Sequence, residues 1–465
     1  MTNEICIVGA GPVCYSICMA LRDSGYKGKI KAFNIPKKTS TYSSQNSFYK
    51  ASPKTIQPEF IDASKPLENY LNPRRHAFNY IPVAGIGGGV NFWGASIAKF
   101  SKTAIKKNSL NYPKYSLNIK KILSFINYSG FEDDGFSKEY DVMQFKPSLK
   151  ASPRIEKLFK KSAIINIAAP KLAVDKSLCT LCGNCFDPCK TNAIWHLKRK
   201  DFIALGVEVF DKEISYVKRI NNNFILMNSE NQIIQKTKFL ALAANVASNF
   251  KLLSYFSNIK KASFFSTASF SFAFPTSEKI PDKLFGMANA TFNIKANQNK
   301  SISFGNLYDG HCLNIPKRFI FSQFFLLDWF LKKISSRLVI GAGFLDSNNI
   351  NTTISYEDNE ISFETKFSSS YNANISKVKK ILKSNFKKNY LPFIFMPGKA
   401  GSDIHYAGGI PLDMKVNPNT GAVQGFSGLF VAGGSNFKYL PPESPTLSFM
   451  ANGYGVGLHI SKCLK

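Results

Sequence analysis

The chain has 465 residues, 44% of them hydrophobic, which allows two or three packed domains and excludes a disordered polypeptide. It carries 60 Lys and Arg against 30 Asp and Glu, a formal net charge of +30. That excess fits either an anionic partner or a face of solvated lysines, and it bears on association rather than on fold.

Met1–Glu4 leads straight into a buried strand, Ile5–Val8, with no secretory leader in front of it. The strand runs into Gly9–Ala10–Gly11–Pro12–Val13–Cys14, and a helix follows through Ile17, Met19 and Leu21. In a strand–turn–helix of this kind the first glycine makes the tight turn. The second lets a pyrophosphate approach the backbone, and the helix N-terminus offers free N–H groups to it. Cys14 stands where a third glycine is usual and is small enough for close helix–strand packing. A second strand over Lys29–Ile35 follows. It carries Asn34 where many dinucleotide sites have an acidic ribose ligand, and 36–47 reads as a loop.

Gly85–Gly94 holds Gly87, Gly88 and Gly94 around Asn91 and Trp93. So many glycines point to close backbone approach, and the Asn and Trp to a turn that lines a ligand. The lysine-rich stretch 99–121 reads as a solvated face. Next come Cys179, Cys182, Cys185 and Cys189, spaced C-x2-C-x2-C-x3-C. Thiolates at this spacing wrap a compact loop around a [4Fe–4S] cluster, whereas zinc sites separate their ligand pairs more widely. Lys190 follows the fourth cysteine where Pro is usual, so the fourth ligand is either Cys189 or a distant thiol such as Cys312. The other five cysteines show no disulfide spacing, which fits a reducing cytoplasm.

Short strands at Val207–Phe210, Ile214–Val217, Asn223–Met227 and Phe239–Ala244 suggest a small β unit. It ends at Asn245, a residue that tolerates a left-handed conformation. Alternating runs at Ser269–Phe274, Val339–Phe344 and Ile361–Phe367 predict an antiparallel sheet. Between them Phe319–Leu331 reads as a core helix or as a helix lying in a membrane interface; no stretch reaches the roughly 18 apolar residues of a membrane span. In the tail, His405 lies in a glycine-flanked loop. A strand at Leu429–Ala432 then runs into Gly433–Gly434–Ser435, and a proline loop carries Ser444–Pro445–Thr446 into a last helix.

These pieces, in this order, resemble the glucose–methanol–choline family of flavin oxidoreductases. The match covers about a third of the chain, at both ends, and the tail is its most specific part. The resemblance implies bound FAD, held by Gly9, Gly11, Pro12, Cys14, Asn34, Gly87, Gly88, Asn91, Trp93, Gly94, Val209, Asn245, Gly433, Gly434, Ser435, Pro445 and Thr446. It also implies oxidation of an alcohol or sugar by hydride transfer, with His405 as base and Ser444 where a His or Asn usually assists. Gly433 replaces the acidic residue expected at its position.

The expected fold is α/β: a discontinuous Rossmann-like FAD-binding domain (1–100, 201–261 and 396–465), a helical or irregular region (101–170), a ferredoxin-like cluster-binding insertion (171–200) and an antiparallel-sheet substrate domain (262–395). The expected function is an FAD-dependent dehydrogenase acting on a hydroxyl of a sugar or polyol, phosphorylated or lipid-linked on the reading that favours the positive charge. Its electrons would leave through the [4Fe–4S] cluster to an external protein or quinone acceptor. The alternative is a non-catalytic flavin and iron–sulfur electron-transfer protein. A nucleic-acid partner is the least supported, and the expected location is the cytoplasm or, peripherally, the inner membrane face.

Overall fold

The computed structural model describes residues 4–36, 70–71, 73–74, 78–130, 146–183, 185, 189–278, 285–297, 300–310, 337–386 and 393–465. The Phe319–Leu331 segment and Cys312 lie outside these residues.

Five strands build a wholly parallel sheet: β1 (Ile5–Val8), β2 (Ile30–Phe33), β3 (Val207–Phe210), β4 (Phe239–Leu242) and β5 (Leu429–Val431). Their spatial order is β5-β4-β1-β2-β3. The unbroken apolar run of β1 suits its central place, buried on both faces. The strands expected at Lys29–Ile35 and Phe239–Ala244 are shorter than that, because the chain leaves the sheet at Asn34 and Ala243. The stretch 207–245 is not one β unit. Its first and last strands are β3 and β4, and only Tyr216–Ile220, Asn223–Met227 and Ile233–Thr237 form a separate three-stranded sheet.

Helix α1 (Pro12–Asp23) follows β1, with Pro12 in its first turn. Helices α2 (Tyr112–Phe125), α3 (Val246–Leu253) and α4 (Thr446–Leu464) complete the layers around this sheet. The α1 and α4 backbones meet closely because α4 supplies glycines: a Cβ on Gly453 would lie 2.8 Å from the Val13 carbonyl oxygen, and one on Gly457 2.7 Å from that of Ile17. Helix α2 packs against α4 through Tyr115, whose hydroxyl lies 2.7 Å from Ser448 Oγ, and through Asn118 Nδ2, which donates to the Ala451 carbonyl at 3.0 Å. The solvated face expected over 99–121 is therefore only partly solvated. Lys99 is buried, with its ammonium donating to Ser116 Oγ at 3.0 Å.

Two further sheets carry the phenylalanines. A seven-stranded sheet runs Ile394–Pro397, Ala268–Pro275, Leu338–Leu345, Lys300–Asp309, Ala290–Asn297, Ile165–Ala168, Lys160–Lys161. Along Ala268–Pro275 burial alternates strictly, so Phe270, Phe272 and Phe274 all face inward. Gly341 and Gly343 on the paired strand leave room for those rings: a Cβ at Gly341 would sit 2.1 Å from Phe272 Cζ, and one at Gly343 2.5 Å from Phe270 Cζ. A five-stranded sheet runs Tyr406–Pro411, Lys261–Ser266, Ile350–Glu357, Glu360–Phe367, Pro73–Arg74. Both sheets thus take strands from outside 262–395. Arg154, fully buried, pairs with Asp309 and donates to the Leu338 carbonyl at 2.9 Å, pinning 153–156 to the seven-stranded sheet.

Candidate functional site

A cavity opens at the carboxyl ends of β1, β2 and β4, where ligands bind in open α/β sheets. Val8–Val13, Phe33–Ile35 and Ala243–Val246 form its floor. Ile81–Gly85, Gly88 and Gly89 form one wall, with Ile404, Tyr406, Gly434 and Phe449 opposite. The two glycines of the first turn have different work. Gly9 has φ +112, and a Cβ there would strike the Ala243 carbonyl oxygen at 2.6 Å, so it lets β1 turn against β4. Gly11 caps α1, and a Cβ on it would meet nothing within 4 Å. That bare backbone beside free helix N–H groups is the geometry that accepts a pyrophosphate. The cavity volume is about 240 Å³, below the roughly 300–1,000 Å³ of sites that enclose a drug-sized ligand, so a dinucleotide bound here would extend beyond it.

Of the residues expected to hold the cofactor, Gly9, Gly11, Pro12, Asn34, Gly88, Asn245 and Gly434 line the cavity. Asn245 is not left-handed, as expected, but an extended helix cap (φ −64): its Oδ1 accepts from Ser248 N at 3.0 Å and from the Tyr80 hydroxyl at 2.6 Å. Asn34 donates to Asp211 Oδ1 at 3.4 Å, so a carboxylate does stand at this corner, supplied by the residue after β3. Val209 lies within β3 and misses the cavity, which the chain reaches at Lys212 and Ile214. Cys14 is buried in the α1 core, and Ser435 Oγ is taken by Asn249 Nδ2 at 3.1 Å. Pro445 and Thr446 start α4 outside the lining, as does Ser444. Gly433 has φ +75, and its Cβ would lie 2.7 Å from Val13 Cγ2, so the expected acidic residue could not fit here without moving α1.

The glycine loop departs furthest from expectation. Gly87, at φ +86, sits on the first turn, its N–H donating to the Ala10 carbonyl at 2.7 Å. Asn91, Trp93 and Gly94 do not line the cavity. Asn91 exchanges hydrogen bonds with the backbone of Leu197, donating at 3.1 Å and accepting at 3.1 Å, and Trp93 Nε1–H donates to the Trp195 carbonyl at 3.2 Å. Their polar groups fasten the loop to the segment just beyond the cysteines.

His405 is flanked by the lining residues Ile404 and Tyr406 but is not itself in the lining, and its ring lies 4.6 Å from the Phe344 ring. Its Nδ1 lies 3.3 Å from Thr267 Oγ1, whose hydroxyl donates to the buried Asp403 carboxylate. Burial pushes His405 down to about 4 and Asp403 up to about 7. Thr267 has one proton to give. Once Asp403 is ionised and takes it, the threonine oxygen can only accept from Nδ1–H, and Nε2 is left bare to receive a proton. Neither Thr267 nor Asp403 was legible as a site residue: both look like ordinary polar residues, and only the pairing of 267 with 403–405 across the sheets unites them.

Cys179, Cys182, Cys185 and Cys189 are mutual electrostatic neighbours. Among the described residues they are not drawn into a coordinating group. Their surroundings suit thiolates: Gly286 N–H donates to Cys185 Sγ at 3.2 Å, and Thr191 Oγ1 lies 3.5 Å from Cys189 Sγ. Burial raises the Cys189 thiol, but the Thr191 hydroxyl and the N–H groups of Ile194, Ala193 and Thr191 outweigh it and hold it below its ordinary value. Four neighbouring cysteines, with polar donors at Cys185 and Cys189, suit an iron–sulfur cluster.

The fold and the cysteine segment together define a mixed α/β protein of several sheets with an iron–sulfur motif. The family description "4Fe-4S binding domain" matches residues 172–195. Among solved structures, the crystal structure of pyridoxine 4-oxidase from Mesorbium loti has a similar fold, with a TM-score of 0.63 over 98% of this chain and 98% of that one, at 8% sequence identity. No curated protein matches the sequence. Among the described residues, no helix is long and apolar enough to cross a membrane.

Proposed function

We propose that the protein is an FAD-dependent dehydrogenase that oxidises a hydroxyl-bearing carbon and passes the electrons out through a [4Fe–4S] cluster. The observation that carries this reading is the fastening of the glycine loop that walls the cavity to Trp195 and Leu197, just beyond the four cysteines, by Trp93 and Asn91. The likeness of fold to an oxidase acting on pyridoxine supports an oxidoreductase, and the resemblance of both chain ends to the glucose–methanol–choline family supports FAD and a sugar or polyol substrate. When bound, FAD would accept hydride and the cluster would accept electrons singly. Gly11 and the first turn of α1 would bind the pyrophosphate. Tyr80, Asn245 and Tyr406 would shape the wall. Cys179, Cys182, Cys185 and Cys189 would hold the cluster. His405, neutral at pH 7, would take the hydroxyl proton at Nε2, with Thr267 and Asp403 fixing its tautomer.

One observation favours the second reading, a non-catalytic electron-transfer protein: the His405 ring lies against Phe344 and is not among the residues that line the cavity. Anaerobic purification followed by a visible spectrum and iron and sulfide counts tests both cofactors. Titration with a panel of sugars, polyols and aromatic alcohols then decides between the readings. Bleaching of the flavin by any of them supports the dehydrogenase. Bleaching only by a redox partner supports the alternative.

A further inference from the structure

We propose that Trp93 and Trp195 form the electron path between the cavity and the cysteine loop; the inference rests on the flavin and cluster reading above. A continuous line of short contacts joins the two sites. Gly89 lines the cavity, and its carbonyl accepts from Phe92 N–H at 3.1 Å. The next residue, Trp93, donates its indole N–H to the Trp195 carbonyl at 3.2 Å, and the two rings lie edge to face with centroids 6.0 Å apart. Trp195 follows Asn192 by three residues, and Asn192 N–H donates to the Cys189 carbonyl at 3.0 Å. From cavity wall to sulfur the path has three hydrogen bonds and otherwise runs through covalent bonds. Both indoles are half-buried and pack against the same apolar core as Cys179, Cys185 and Cys189.

The structure around the pair is tied down. Ala173 N–H donates to the Ala95 carbonyl at 2.7 Å, and Trp195 N–H to the Ala173 carbonyl at 2.9 Å, so both tryptophans hang on one laced pair of segments. The electrons balance as follows. Each substrate oxidation leaves two electrons on the flavin. They would cross one at a time, each adding one electron to the cluster and so reducing it, and a one-electron carrier outside must remove the first before the second crosses. Reoxidation of the flavin releases the proton held on it to solvent. The indoles are neither oxidised nor reduced; they shorten the gap.

The test compares the holoprotein with Trp93→Phe, which removes the indole donor, and Trp195→Leu, which removes the ring contact but keeps the main-chain carbonyl. Flavin, iron and sulfide contents and both midpoint potentials are measured first. The flavin is then reduced by a photochemical donor, without substrate, and the cluster is followed as it bleaches. The path predicts cluster reduction about tenfold slower in Trp93→Phe and less slowed in Trp195→Leu, with potentials moved by less than the ~59 mV that a tenfold change in a one-electron equilibrium requires. Unchanged transfer in both variants at full cofactor content overturns it. So does loss of flavin or iron in both variants, which assigns the pair a purely structural role. Absence of flavin or iron from the parent protein instead overturns the proposed function itself.

Discussion

Gly9 and Gly11, two residues apart, separate folding from binding. Gly11→Val places a side chain in open space beside the pyrophosphate position, so it is expected to fold, keep its iron and lose FAD, read as flavin content after purification. Gly9→Val meets the Ala243 backbone at a positive φ and is expected to lose stability rather than affinity alone, read as a lower midpoint in urea. The His405 group yields a pH dependence. Asp403 ionises near 7 and His405 stays neutral down to about 4. Above pH 7 the proton order along Asp403, Thr267 and His405 leaves Nε2 bare; below it, a protonated Asp403 can reverse that order. Flavin reduction by substrate is expected to rise through about pH 7 and to lose this rise in Asp403→Asn, checked by anaerobic stopped-flow at pH 5.5–8.5. Linkage gives a second sign for the same residue. Its pKa is raised on folding, so its stabilising contribution is full below 3.8 and is lost as pH rises through about 7. Asp403→Asn should remove that loss, seen as a melting temperature that no longer falls on this residue's account between about pH 4 and 7.

Elements are held together by small residues at contacts and by capped ends. On α4, Gly457→Val would drive a branched side chain into the Ile17 carbonyl and Ala20, and overpacking of this kind typically costs about 1–3 kcal/mol. Because α1 presents its N-terminus to the cavity, the variant is expected to bind FAD more weakly as well as to unfold earlier, a pairing that calorimetry and flavin titration would show. At the start of α3, Asn245→Ala removes a helix cap, about 1 kcal/mol by itself, and strands the buried Tyr80 hydroxyl that now donates to it. Much at this scale was legible in sequence. The apolar run of β1, the G-x-G turn and the alternating phenylalanines each follow from a local period. What was not legible came from distant partners. Asn91 and Trp93 look like ligand residues in a glycine loop, and only the fold brings Leu197 and Trp195 under them. Gly433 looks like a lost acid until Val13 is seen against it. His405 was found by its glycine-flanked loop, but Thr267 and Asp403 carry no local signal at all.

At the scale of the molecule, the cavity and the cysteine segment share one frame but do not use the same residues. Cys182 is exposed, and the four thiols sit apart from the lining of the cavity. Cys182→Ser is therefore expected to lose iron and the flow of electrons to an outside acceptor while substrate still reduces the flavin. Iron analysis with stopped-flow at the flavin band would check this, and intact iron content would refute the ligand assignment. The cysteine run was legible from spacing alone, because cluster ligation is a local demand on the chain. The sheets beside it were only partly so, since their edge strands come from 73–74, 160–168 and 394–411.

The order of strands in the parallel sheet has a consequence for biosynthesis. β1 and α1 are made early, yet the helix that packs on α1, α4, lies at 446–464, and β5, which closes the sheet on the far side of β4, lies at 429–431. At roughly 5–20 residues per second the 423 positions from Asp23, the end of α1, to Thr446, the start of α4, take on the order of 20–85 s to translate. Throughout that time the apolar face of α1 lacks the helix that covers it. Packing of α1 against α4 can therefore follow only once translation has passed residue 446, whereas the 172–195 segment that matches the 4Fe-4S description is made long before.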